Sequence, residues 1–318
     1  MDYTVFLGDV AKDEYYRLER LPQLGEKLPA EALPAQLGGM IANAASVYRS
    51  YGGNACFLSF LNPCDKELCN QLERNGIDTS MVQYDDTLGP SKCMICIAED
   101  EHTVLIVDMK RHSVRLPASV QAVLCGAEYI YSNYWELQWL GETEEETLAI
   151  LQTWYRAGVK LVCDLDVDDL ERPLYQKFLP YTHTIFMNKV GFQQMCKQHS
   201  TVDEAVKHIF DAGLSLLVVT LAEEGCVIYS KEKIVREPAV RVEPVDVTGA
   251  GDTFCSSFVW AYQKCADLTL AARFATYAAA RSITMLGARA GSCGIEPVLQ
   301  FASEQGADLT PFKKLKEE

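Results

Sequence analysis

The chain has 318 residues and carries 29 basic against 44 acidic side chains, a formal charge of −15 with no basic tract. Affinity for nucleic-acid backbones comes mainly from neutralising phosphates, so this balance argues against a nucleic-acid partner. No run of about 18 apolar residues exists to span a bilayer, and Met1-Asp2-Tyr3-Thr4-Val5 lacks the basic region and apolar run of a signal peptide, so a cytoplasmic protein is expected.

Short apolar runs alternate with helical patterns along the chain. Tyr3–Gly8, Ala55–Phe60, Glu128–Ser132, Val159–Asp164, Thr184–Met187 and Leu216–Leu221 read as strands, several without polar alternation. Between them Lys66–Asn75, Glu144–Ala157, Val202–Ala212 and Leu270–Leu286 have helical spacing. Continuous apolar strands separated by helices imply a mostly parallel sheet covered on both faces, an α/β architecture. Residues 12–37 and 82–115 break the rhythm. The second contains two alternating strand patterns, Lys92–Ala98 and Thr103–Asp108, and both segments read as a small β element protruding from the main sheet. No linker or repeat divides residues 1–318, so a single domain is expected. The twelve cysteines are scattered through apolar runs, and Cys93-Met94-Ile95-Cys96 lies in a strand, where residues three apart face opposite sides; core packing is expected rather than a metal site.

The chemistry concentrates in Asp246-Val247-Thr248-Gly249-Ala250-Gly251-Asp252, which runs into the apolar stretch Phe254–Trp260. Three small residues let a ligand approach the backbone, and a helix starting there presents unpaired N–H groups and the positive end of its dipole to an anion. Asp252 beside that cradle is placed to accept a proton from a substrate hydroxyl. An anion cradle next to a proton acceptor is what phosphoryl transfer to an alcohol requires. A bland alternative is a Gly-rich turn with an Asp cap. A dinucleotide-binding Gly-x-Gly-x-x-Gly does not follow the first strand, and no Gly-x-x-x-x-Gly-Lys-Ser/Thr, Gly-x-Ser-x-Gly or His-Glu-x-x-His occurs.

Taken as a string, this segment resembles the C-terminal signature of the ribokinase-like (PfkB-type) carbohydrate kinases, Asp-Thr-x-Gly-Ala-Gly-Asp, with Val247 replacing the usual Thr. The resemblance covers nearly the whole chain and implies a three-layer α/β/α sandwich with a β lid. It implies an ATP-dependent kinase acting on a hydroxymethyl group of a small unphosphorylated sugar. In that reading Asp252 is the base, and the backbone of Gly249, Ala250 and Gly251 holds the transferring group.

Gly38-Gly39-Met40-Ile41-Ala42-Asn43-Ala44-Ala45 resembles the family's N-terminal signature, which makes Gly38, Gly39, Asn43 and the upstream Asp13 the substrate residues. Val218–Gly225 resembles the nucleotide loop, with Ala222 in place of a Gly; the resemblance assigns Asn188, Thr220, Gly225, Thr276 and Gly287 to the nucleotide. Mg²⁺ is implied with ATP, and K⁺ held in part by Asp246 and Thr248. A homodimer through the lid is expected, since the lid strands would otherwise expose edges and apolar side chains.

Three positions depart from the pattern. Gly191 stands where the family's Asn-x-x-Glu supplies a carboxylate for hydrated Mg²⁺, and this raises an alternative, a catalytically impaired sugar- or nucleotide-binding regulator. Asp164-Leu165-Asp166 replaces Asp-x-Asn, and the acidic Asp166-Val167-Asp168-Asp169 takes the place of an Arg. The polar groups Asp13, Asn43, Ser132, Asn133 and Asp164 suit an unphosphorylated sugar, with a nucleoside or 2-keto-3-deoxygluconate as alternatives; Lys110, Arg111 and Arg115 read as a solvated basic rim.

Overall fold

The computed structural model describes residues 2–99, 101–165, 170 and 172–314. Its central sheet takes all six expected strands in parallel. β1 (Thr4–Leu7) lies between β5 (Ala55–Leu58), at one edge, and β10 (Tyr129–Ser132). Beyond β10 come β11 (Lys160–Leu165), β12 (Thr182–Asn188) and β13 (Leu216–Thr220). Two antiparallel strands, β14 (Cys226–Ser230) and β15 (Ile234–Glu237), close the far edge. The sequence reading did not anticipate these two, whose pairing with β13 is a tertiary contact.

The strands are apolar on both sides because both faces are covered. One core lies under α1 (Met40–Ser50), α2 (Lys66–Arg74), α9 (Ala250–Cys265), α10 (Leu268–Ser282), α11 (Ile295–Glu304) and α12 (Thr310–Lys314). The other lies under α3 (Ala118–Gly126), α4 (Tyr134–Leu137), α5 (Glu144–Arg156), α6 (Pro173–Gln176), α7 (Lys189–Lys197) and α8 (Val202–Asp211). Local chemistry sets several helix starts: Thr143 accepts from Glu146 N at 3.2 Å, and Thr201 accepts from Glu204 N at 3.1 Å, each with acidic residues in the first turn. Helix α10 stops at Ser282, four residues short of the expected Leu286. There the Ile283 carbonyl accepts from the N–H groups of Val245, at 2.7 Å, and Asp246, at 3.2 Å, on a distant loop.

The two segments that broke the rhythm form a separate five-stranded sheet, the lid. Within it β2 (Ala11–Arg17) pairs with β3 (Glu31–Ala32), β4 (Gln36–Gly38) and β8 (Lys92–Ala98), and β8 pairs with β9 (Glu101–Ile106). The first segment, read as part of a small β element without individual strands, supplies three of them. A small pair, β6 (Phe60–Leu61) with β7 (Gln83–Tyr84), lies between lid and core. Every residue of β9 is exposed, Ile106 at 82%. The twelve cysteines are free thiols, of which Cys69, Cys163, Cys226 and Cys255 are buried and Cys64 is exposed.

The C-terminal helix is pinned by one ring. Phe312 is fully buried, with its centroid 4.8 Å from Phe274 and 5.8 Å from Trp260, on α10 and α9 respectively. Phe312→Ala should therefore cost about 3–5 kcal/mol in denaturant unfolding, and a loss below about 1 kcal/mol would show that α12 does not dock in this way.

Candidate active site

Two glycine-led helices meet at the C-terminal edge of the parallel strands, where ligands bind in open α/β sheets. Helix α9 begins at Gly249, whose φ of 74° is left-handed; a Cβ there would lie 2.0 Å from the Ala288 carbonyl oxygen. That glycine is required by the protein itself. Gly251 is not, since a Cβ built on it meets nothing within 4 Å. The space above Gly251 is open to a ligand. Ala250 N turns back to Val247 O at 3.2 Å, so it does not belong to the cradle as expected from the sequence. The N–H groups of Gly251 and Asp252 have no acceptor among the described residues. They are the unpaired donors at the start of this helix.

Helix α1 begins at Gly39, φ 98°, where a Cβ would lie 2.8 Å from Asp9 O. Asp9 accepts from Met40 N at 3.1 Å and from Ile41 N at 3.2 Å, so this carboxylate caps the helix. Gly38 has no side chain because Asp13 fills the space: a Cβ would lie 1.9 Å from Asp13 Oδ2. One turn into α1, Asn43 donates from Nδ2 to Asp252 Oδ2 at 2.9 Å, while its own Oδ1 is buried without a partner. Asp13, Gly38, Gly39, Asn43 and Asp252 thus come together from opposite ends of the chain.

Arg111 does not belong to a solvated rim. It pairs with Glu136 Oε2 on α4, and both side chains are nearly inaccessible, at 11% and 5%. Lys110 and Arg115 are exposed, as expected. Asp9, Arg111 and Glu136 went unrecognised as site residues, because their contacts join positions 25 to 32 apart with no local signature. Of the other polar groups, Ser132 donates to Leu7 O at 2.8 Å and Asn133 caps α4 through Glu136 N at 2.7 Å. Residues 166–169, including the acidic run, lie outside the described residues.

The nucleotide-side residues fall on adjacent strand ends. Asn188 and Thr220 are register partners, Thr220 faces Cys226 across β14, and Thr276 is buried with its hydroxyl 3.9 Å from Cys226 Sγ. Asn188 accepts from Gly191 N at 2.8 Å, capping α7. Gly225, φ 94°, would place a Cβ 2.1 Å from Glu237 O. Ala222 adopts φ 51°, the conformation for which the family uses Gly.

Asp246 ties two loops together. It accepts from Thr248 N and from Gly287 N, each at 2.9 Å. Burial pushes its carboxyl upward, but these bonds outweigh that, leaving it below the usual range. On the loop beyond Gly287, Ser292 Oγ is buried without a partner. Among the described residues no three His, Cys, Asp or Glu side chains gather as a metal site, and Gly191 itself offers no carboxylate.

The cleft raises its acids. Burial, with Asp164 and Asp9 nearby and against the Asn43 hydrogen bond, lifts Asp252 to about 7. Burial lifts Glu136 to about 7 despite Arg111, and burial with Asp9 lifts Asp13 to about 6. All three bind protons more tightly folded than unfolded. Between about pH 4 and pH 7 folding takes up protons, so their contribution to stability falls as pH rises through that window. The thermal midpoint should accordingly be higher at pH 5.5 than at pH 8; the reverse order would refute these assignments.

The two glycines of the cradle separate stability from binding. Gly249→Ala should cost about 2 kcal/mol or more, because the new methyl group meets the Ala288 backbone. Gly251→Ala should keep the thermal midpoint within about 2 °C but weaken nucleotide binding, by covering the free N–H groups. Equal stability losses in the two variants would contradict this geometry.

Residues 1–293 match the model of the pfkB family carbohydrate kinases. The ribokinase of Bacillus subtilis is 23% identical over 291 residues, covering 90% of this chain and 94% of that protein. The nucleoside kinase of Methanocaldococcus jannaschii is 23% identical over 278 residues, covering 84% and 86%. A deoxyribokinase of Salmonella typhi is 33% identical over 99 residues, and the match spans about a third, 32%, of its length. The structure of Arabidopsis thaliana ribokinase complexed with ribose and ATP superimposes with a TM-score of 0.81 at 20% identity, covering 95% of this chain and 99% of that one. That likeness bears on the fold, a ribokinase-like α/β/α sandwich carrying a lid. With the family model covering all but the last 25 residues, this chain belongs to the pfkB family of carbohydrate kinases.

Proposed function

We propose that the chain, acting as one domain, transfers the γ-phosphoryl group of ATP to a hydroxymethyl group of a small unphosphorylated sugar. The observation that carries this reading is the placement of Asp252 within the same helix turn as the free N–H groups of Gly251 and Asp252. The acceptor oxygen forms the new P–O bond as its proton passes to Asp252. The bond from the γ-phosphorus to the bridging oxygen breaks, and ADP leaves with that electron pair. The N–H groups and the helix dipole stabilise the charge on the transferring group.

Mg²⁺ would enter with the ATP phosphates, and Gly191 offers it no ligand. K⁺ would sit between the loop of Asp246 and Thr248 and the loop that follows Gly287, where the orphaned Ser292 oxygen suits a cation. The lack of a carboxylate at Gly191 favours one second reading, a sugar- or nucleotide-binding regulator with little turnover. Retention of Asp252 in a cleft that keeps its carboxyl a competent base near neutral pH speaks for the enzyme.

An unphosphorylated acceptor is favoured because Arg111 is engaged by Glu136, whereas binding a phosphate dianion demands free converging cations. A nucleoside and 2-keto-3-deoxygluconate are the alternatives. The relatives include a ribokinase, a deoxyribokinase and a nucleoside kinase, which keeps both sugar and nucleoside in view.

A panel of sugars, nucleosides and their phosphates with Mg-ATP, read out as ADP, tests the reading. Asp252→Asn should lower kcat about 10²–10⁴-fold with ATP affinity nearly intact; more than a tenth of wild-type kcat remaining would remove Asp252 from the role of base. The same assay in K⁺ should run faster than in choline, and equal rates would remove the monovalent ion. A clear preference for a phosphate ester would overturn the substrate class.

The exposed apolar strand β9, with Val104, Leu105 and Ile106 at 47%, 50% and 82%, supports a homodimer formed through the lid. Light scattering at micromolar concentration should give twice the chain mass, and Ile106→Asp should shift it to the monomer. A monomeric wild-type chain refutes the dimer.

A further inference from the structure

The contacts of Asp252 on its two flanks come from residues with no evident business with ATP. On one side Asn43 of α1 donates to Oδ2 at 2.9 Å, which ties that oxygen to the helix and leaves Oδ1 for an incoming hydroxyl. Asn43 is itself 7% exposed, so water competes poorly for the bond. Asp164, near the end of β11, lies close enough for its charge to act on Asp252. Its Oδ2 accepts from the Tyr131 hydroxyl at 3.2 Å, and Cys255, one turn beyond Asp252 on α9, also bonds its carboxyl. Tyr131 is fully buried. A second carboxylate is thus built into the wall beside the first, held by groups from β10 and α9.

We propose that Asn43 and Asp164 are positioning residues for the transfer step, Asn43 fixing which carboxylate oxygen of Asp252 faces the acceptor and Asp164 setting the charge that this oxygen meets. The proposal rests on the kinase reading for its meaning, but the bracket itself is a property of the free protein. The family resemblance makes Asn43 a sugar ligand; in this chain one N–H of its amide is already given to Asp252, which leaves the second N–H and the unpartnered Oδ1.

The two neighbours pull in opposite directions. The Asn43 hydrogen bond stabilises the ionised carboxylate of Asp252 and lowers its proton affinity, while the nearby charges of Asp164 and, less strongly, Asp9 raise it. Asp9 is held at the N-terminus of α1, where it also faces Asp13 and Glu136. Of the residues around Asp252, Asn43 comes from α1, Asp164 from β11, Asp9 from the turn after β1, Tyr131 from β10 and Cys255 from the next turn of α9. Burial lifts this base to about 7, with the two neighbours adjusting it in opposite directions, so it is strong enough to take a hydroxyl proton and is still mostly ionised at pH 8.

The test follows the carboxyl directly. The full chain is labelled with ¹³C at the aspartate carboxyl carbons and titrated by NMR, with Asp252→Asn assigning the resonance, for the wild type, Asn43→Ala and the isosteric Asp164→Asn. The Asp252 midpoint should move up by at least about half a pH unit in Asn43→Ala and down by a similar amount in Asp164→Asn. The acidic limb of the kcat–pH profile should move in the same directions with the KM for ATP within about twofold.

Midpoints that stay in place in Asp164→Asn would overturn the role of that residue even if Asn43→Ala were too unstable to titrate. A raised acceptor KM in Asn43→Ala with an unmoved pH limb would make Asn43 a substrate ligand only, and would overturn its role here. Shifted midpoints without phosphoryl transfer to any acceptor would leave the bracket standing and remove the kinase reading.

Discussion

The architecture of the site depends on two helix N-termini being pressed into one cleft. Helices α1 and α9 pack along each other, with Ser256 donating to Ala44 O at 2.6 Å and the Tyr51 and Ser257 hydroxyls 3.0 Å apart. Each helix starts at a glycine whose missing side chain makes way for backbone, Asp9 against Gly39 and Ala288 against Gly249. A Cβ at either position would push its helix away and separate Asn43 from Asp252. The hydrogen bond between those two residues, which are 209 positions apart, is the point where the halves of the chain meet.

Bringing helix starts together creates a positive end that the chain fills with acids. Asp9 satisfies the first N–H groups of α1, an arrangement worth roughly 0.5–2 kcal/mol in a typical helix. The N–H groups at the start of α9 are left open. One helix start is thus capped by the protein while the other keeps its N–H groups free, and Asp9, Asp13 and Asp164 make the cleft around Asp252 acidic. Glu136 and Arg111 add a buried ion pair at the cleft wall; such a pair contributes more to shape and specificity than to stability.

The lid completes the enclosure from within the same chain. Asp13 on β2 rests over Gly38, and the hydroxyl of Tyr15, two residues along the strand, is pushed up to about 12 by burial and by Asp13 and Asp246. His102 on β9 lies near enough to Asp246 to help its hydrogen bonds hold that carboxyl down against burial. The lid therefore borders both Gly38 and the loop of Asp246, a position suited to excluding water from the cleft.

The sequence alone carried the α/β class, the six parallel strands, and the residues that line both halves of the cleft. Those signals are local: apolar runs of strand length, and glycines that a close backbone approach demands. What only the tertiary structure decided is which of those residues work together. That Ala250 N–H is spent on Val247, that Asn43 serves Asp252, and that Arg111 is locked to Glu136 are contacts set by packing between distant segments. The strands β14 and β15 escaped detection for the same reason, and the segment before residue 39 was legible as part of a β element but not as three separate strands, since a strand without a strong alternation of its own exists only through its neighbours. Hydrophobic period and turn chemistry are written residue by residue along a chain, whereas hydrogen-bond partners and the proton affinity of a buried carboxyl depend on atoms that come together only when it folds.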